Sequence, residues 1–236
     1  MCPKIERTMA GETKSASHLK ARVYRVTKAY VCVFGFILAC ANLQGLHWSW
    51  DISAVTIPAW ISAATTVLAT CAVAFLGALP SDHLKAVLVF WRWKDPLPGS
   101  RAFEKANLRA DPRISIEGLR AHLDGEFPRN GRKQNVVWYQ LYRSVQSESA
   151  VAQAHYEYLL FRDLTWFTVV LAVIALISLV VNREHWHELL VYTLAASALF
   201  ALLARAASVR GTRFVRTVLA VVAAQPVETK AKAQHQ

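Results

Sequence analysis

Residues 164–181 read LTWFTVVLAVIALISLVV, eighteen residues with no charge, no proline and no glycine. As an α-helix such a run rises about 27 Å at about 1.5 Å per residue, close to the hydrocarbon thickness of a bilayer. Three more runs have the same character: 29–46, 52–79 and 189–204 carry no Asp, Glu, Lys or Arg. The last is the shortest and could also be a buried core helix. Trp186 before it and Arg205 after it fit the two flanks of a span instead. The 236 residues, 54% of them apolar and with a formal charge of +11, are too apolar for a disordered binder and too unevenly apolar for one soluble core. The expected fold is an all-α integral membrane protein with four transmembrane helices arranged as two hairpins.

Between the hairpins lie residues 80–163, mostly polar, expected to form a small helical domain in water. The expected divisions are a basic arm over 1–28, a first hairpin over 29–79, the middle domain over 80–163, a second hairpin over 164–204 and a basic tail over 205–236. The arm holds seven Lys or Arg against two acids, the middle segment thirteen against ten, and the tail six against one. In contrast, Asp51 is the only charge in the first turn between spans. Arg183, Glu184 and Glu188 share the second. Basic loops stay on the cytoplasmic side. Both termini and the middle domain are therefore expected in the cytoplasm and both turns outside, at a bacterial inner (plasma) membrane.

The arm, basic and without apolar patterning, is expected to be disordered or loosely held on anionic lipid. The run Ile37-Leu38-Ala39-Cys40 resembles a bacterial lipoprotein cleavage site. The charged leader before it is far longer than a secretory n-region, and an uncut span accounts for the same residues. Cys2, Cys32, Cys40 and Cys71 form no Cys-x-x-Cys pair and read as small packing residues.

Ser62, Thr66, Thr70 and Ala74 recur every fourth residue in the second span, and Thr193, Ser197 and Ala201 in the fourth. That spacing lines small side chains along one face for close helix packing, within each hairpin or between subunits of a homo-oligomer. No span holds an internal charge, which argues against a proton-coupled carrier or a voltage sensor. The outer turns each carry His-Trp followed by an acid, a weak trace of internal duplication. His47, His185 and His187 are candidate ligands for a zinc-like ion; histidine simply tolerated at the headgroup level explains them too.

In the middle domain, Trp91-Arg92-Trp93-Lys94 alternates indole and cation. Beside a membrane this reads as an interfacial anchor rather than a stacking platform for nucleic acid, and a nucleic-acid partner is not expected. Asp95 to Ser100 reads as an irregular turn with two prolines. Short helices are expected over 101–107 and 114–123, and an amphipathic one from Gln134 through Val137, Leu141 and Val145, with Trp138 and Tyr142 beside them. From Ala150 a helical pattern runs without a breaker into the third span. Arg162-Asp163 reads as a charged pair marking the lipid boundary.

No His-Glu-x-x-His, Gly-x-Ser-x-Gly or phosphate-loop pattern occurs, so no catalytic residue and no cofactor is assigned. Arg205, Arg210, Arg213 and Arg216 precede the apolar residues 218–224, which predicts an amphipathic helix on the inner leaflet with those cations at lipid phosphates. In layout alone the chain resembles the membrane effectors of bacterial antiviral systems. The functional expectation is a signalling or effector module in which a soluble protein or small anionic ligand meets the middle domain, with Trp91 to Lys94, Trp138 and Tyr142 as contact residues. An inner-membrane enzyme acting on lipid or nucleotide, or a scaffold for a soluble partner, is the alternative.

Overall fold

The computed structural model describes residues 21–37, 75, 79–123, 126–181 and 186–226. Every regular element among them is helical. In chain order they are α1 (21–37), α2 (Asp82–Phe90), a 3-10 turn (Pro98–Arg101), α3 (Lys105–Arg109), α4 (Ile116–His122), α5 (Gly131–Val145), α6 (Ser149–Val181) and α7 (Trp186–Ala224). Two of these, α6 and α7, are long and apolar enough to cross a membrane. Of the expected second span only residues 75 and 79 are described; Ser62, Thr66, Thr70 and Ala74 lie outside the described residues, as do the first turn with His47, the motif residue Cys40, and His185.

The chain divides into two compact units, one from Met1–Val89 with Leu159–Ala207, the other from Phe90–Tyr158 with Ser208–Gln236. This division differs from the expected one, because residues after 207 fall in the same unit as the middle domain rather than forming a separate tail.

In the first unit α1, α6 and α7 share an apolar core. Leu171 and Ala175 of α6 meet Leu189, Tyr192 and Ala196 of α7, and Tyr30 and Phe34 of α1 pack against them. Two hydroxyls join the helices where water is scarce. Tyr30 Oη and Thr168 Oγ1 are hydrogen-bonded at 2.6 Å, and Tyr192 Oη donates to the Phe34 carbonyl at 3.0 Å. Thr168 also turns back on its own helix, as do Thr165, Thr193 and Ser197: each donates to the carbonyl four residues earlier. That habit satisfies a polar group without a partner helix. Residues 21–28, the end of the basic arm, are helical; Val23 and Thr27, one turn apart, are both buried and give them a packed face.

The fourth-span stripe does not pack as expected within the chain. Ser197 and Ala201 are exposed, and the buried face is Leu189, Tyr192, Ala196 and Ala204. Tyr192 selects this face, since its ring needs the apolar core and its hydroxyl reaches the Phe34 carbonyl.

The second unit is built from short, well-capped helices around one long one. Ser115 Oγ accepts from Gly118 N at 3.1 Å and starts α4, while Asn130 Oδ1 accepts from Arg132 N at 2.9 Å and starts α5. Such caps satisfy helix-end donors that lack an intrahelical partner. The segment expected to be wholly irregular contains the 3-10 turn, with Pro98 at its first position, where a missing N–H costs nothing. The helix expected over 101–107 is displaced to Lys105–Arg109, because Glu104 is extended and breaks the run.

The C-terminal part of α7 supplies this unit's core through Phe214, Val215, Val218, Leu219 and Val222, all buried. Gly118 lies so close to α7 that an added Cβ would stand 2.6 Å from the Ala223 carbonyl oxygen. The apolar face expected to lie on lipid is thus covered by protein: the residue pattern that would suit a leaflet equally suits a helix core.

Candidate functional site

Three groupings of side chains stand out, one in the first unit and two in the second. At the base of the first unit, α2 and α6 exchange charges. Lys85 Nζ donates to Asp163 Oδ1 at 3.2 Å, Arg162 Nε donates to the same oxygen at 3.2 Å, and Arg162 Nη1 donates to Asp82 Oδ1 at 2.9 Å. Lys85 is nearly as buried as a core residue, with its side chain 7% exposed. Burying an ammonium is costly, and the Asp163 carboxylate beside Lys85 offsets part of that cost. Arg162 and Asp163, expected as a boundary pair, are in fact two members of a four-charge cluster that ties α2 to α6.

In the second unit, Phe214 of α7 is enclosed by rings. His155 stacks on it with centroids 4.8 Å apart, and Trp138 and Tyr142 meet it edge-on at 5.3 and 5.4 Å. Tyr142 Oη is hydrogen-bonded to His155 Nδ1 at 3.0 Å. Burial pushes the Tyr142 phenol above its ordinary value, with a smaller rise from Tyr139 beside it. Two residues on from His155 along α6, Glu157 is bound by Arg210, with Arg213 at 3.8 Å, and its other oxygen accepts from Gln153. Burial alone would raise the Glu157 pKa; the Gln153 hydrogen bond and the two guanidiniums outweigh it and hold the carboxyl below its ordinary range.

The third grouping is an open groove of about 790 Å3 between α3, α4 and the segment before α5. Buried Phe103 and Leu108 form its floor, and Phe103 stacks on Phe127 with centroids 5.4 Å apart. Gln134 fixes two walls at once, accepting from Phe103 N at 3.1 Å and donating to the Arg129 carbonyl at 3.4 Å.

The contact residues expected from sequence separate into two kinds. Trp138 and Tyr142 are stacked on each other in the ring cluster, and Trp138 is 5% exposed, so both serve the core. Trp91 to Lys94 are all exposed, Trp93 by 83%. Trp91 and Asp95, at φ of 55° and 49°, bracket this loop in the left-handed region that favours glycine. Asp95 is held by Arg132 at 3.7 Å, which anchors the loop to the start of α5.

Of the four arginines expected at lipid, Arg210 binds Glu157 and Arg216 donates to Asn107 Oδ1 at 3.2 Å, whereas Arg205 and Arg213 are exposed. The structure therefore turns two of them inward, toward partners far away in sequence. His187 is exposed beside Trp186, and among the described residues no group of His, Cys, Asp or Glu is arranged to hold a metal. The groove and the Lys85 cluster escaped the sequence reading, since each assembles residues from separated segments.

Comparison of the chain with protein-family models, with curated proteins and with solved structures finds no match.

Proposed function

We propose that the chain is a membrane-embedded signalling or effector module with four spans in two hairpins, both termini and the helical domain facing the cytoplasm of a bacterial cell. Binding of a partner or small anionic ligand at that domain shifts α6 and α7 and changes how the spans pack, altering permeability. In layout this matches a role in antiviral defence.

The observation that supports this reading is the continuity of two helices. Helix α6 runs unbroken through Ser149–Val181 and α7 through Trp186–Ala224, and each contributes to both compact units. Glu157 and Leu171 belong to one helix and Ala196 and Phe214 to another, and continuity of this kind suits transmission of a displacement. The lipid-facing role of the first unit is supported by its surface. Val173, Ile174, Leu176, Ile177 and Val180 of α6 are exposed, as are Val191, Leu194 and Leu202 of α7. A patch of that size is unfavourable in water and suits hydrocarbon.

The test is the membrane potential of cells expressing the chain. Expression of the intact protein depolarises cells; a Leu160→Pro variant, present in the membrane at equal level, does not. A potential that stays at the control value with the intact chain overturns the effector reading.

A further inference from the structure

The groove of the second unit has a charge pattern that its fold does not use. Lys105, Arg109, Arg120 and Arg129 stand on its rim against two acids, Glu104 and Glu126. One of those acids is already engaged, since Glu104 lies 3.7 Å from Arg101. All four rim cations are exposed, and the Arg120 guanidinium lies over the Phe127 ring at 5.7 Å. Two of them thus extend from α3, one from α4 and one from the segment before α5, converging on an apolar floor.

Cations from separate elements repel one another, and the four on this rim face two acids, of which Glu104 is shared with Arg101. Convergent guanidiniums suit phosphate, which they can grip through paired hydrogen bonds. The floor adds a second requirement. Phe127, stacked on Phe103 and flanked by Arg120, together with Leu108, offers an aromatic and apolar bed for a planar or apolar body. The volume of about 790 Å3 lies within the range of small-molecule sites.

From this geometry we infer that the groove binds a soluble organic phosphate of mononucleotide size, with its phosphates at Lys105 and Arg109 and its ring against Phe127. The inference names the ligand class for the cytoplasmic domain and rests on the reading of that domain as a sensor. Gln134 is the positioning residue. Through its bonds to Phe103 N and the Arg129 carbonyl it sets floor and rim in one register.

The test is calorimetric titration of the full chain in lipid nanodiscs with ATP, AMP and adenosine. ATP binds saturably, adenosine at least ten-fold more weakly, and the Lys105→Gln, Arg109→Gln double variant loses ten-fold or more in ATP affinity. These two side chains are exposed, so the variant keeps the wild-type thermal transition. Arg143→Gln, an exposed cation on the last turn of α5, binds ATP as the wild type does. Absence of saturable ATP binding, or equal affinity in the double variant, overturns the inference. It is equally overturned if the double variant keeps ATP binding but retains less phosphatidylinositol phosphate in mixed micelles, because the groove would then take a lipid headgroup. The titration reads binding alone, so its failure leaves the membrane-potential test of the effector reading untouched.

Discussion

Lys85 on α2 and Asp163 on α6 form an ion pair at 3.2 Å, with the lysine side chain 7% exposed and the aspartate 20%. The pair joins two helices separated by 78 positions in sequence. Removing Asp163 takes a contact from both Lys85 and Arg162, whereas removing Lys85 leaves Asp163 with Arg162 beside it. Asp163→Asn is therefore expected to cost more than Lys85→Met, about 3 kcal/mol against about 1–2 kcal/mol. The double variant should cost less than the two singles summed. Denaturation of the purified protein in mixed micelles measures all three; strictly additive losses would show that the two charges do not interact.

Glu157 links stability to pH. Its folded pKa lies below the ordinary carboxylate value, so the unfolded chain binds a proton more readily than the folded one. The stability it contributes is complete above the ordinary value and is lost as pH falls through the lowered folded value. Glu157→Gln should destabilise the protein by about 1.5–3 kcal/mol at pH 7, the range of a hydrogen bond to a charged group. As pH falls from neutral through the ordinary carboxylate value and below it, the gap between variant and wild type should narrow. Thermal transitions across that range provide the check, and a gap that is constant with pH would exclude Glu157 as the titrating group.

Two tryptophans separate core from surface. Trp138 is buried against Phe214, and Gly99 approaches it so closely that an added Cβ would stand 2.5 Å from its ring. Trp138→Ala should cost about 3–5 kcal/mol through lost burial and the cavity left behind. Trp93→Ala should change stability by less than about 0.5 kcal/mol, because its indole packs on almost nothing. Similar losses in the two variants would contradict the placement of both.

Local pattern carried much of the fold, and partners distant in sequence carried the rest. The periodicity through Leu141 and Val145 with Trp138 and Tyr142 correctly marks α5, and the absence of a breaker after Ala150 correctly marks α6. In both cases the information is local, a repeat of about 3.6 residues and the lack of proline or glycine. Two of the C-terminal arginines, Arg210 and Arg216, have protein partners that the local pattern does not show. A helix with cations on one side and valines on the other fits an anionic leaflet and a protein core equally well, and only Glu157 and Asn107, far upstream, decide between them. Trp138 reads as a contact residue in the sequence because an aromatic face can be either surface or core, and Phe214 on another helix packs against it in the interior. The groove was illegible because Phe103, Arg120 and Phe127 belong to three segments whose approach depends on Gln134.

The central claim is that α6 transmits a state of the cytoplasmic domain to the bilayer. Potassium flux from liposomes reconstituted with the purified chain tests it most directly, comparing the intact protein with Leu160→Pro and with Leu160→Ala as the control that keeps the helix. Proline within a helix costs about 3 kcal/mol and removes a backbone hydrogen bond, whereas alanine preserves the helical backbone. The account predicts that the intact chain and Leu160→Ala collapse a potassium gradient while Leu160→Pro, inserted to the same level, holds it. A gradient that survives with the intact chain as it does in protein-free vesicles, or collapses equally with the proline variant, would contradict the account.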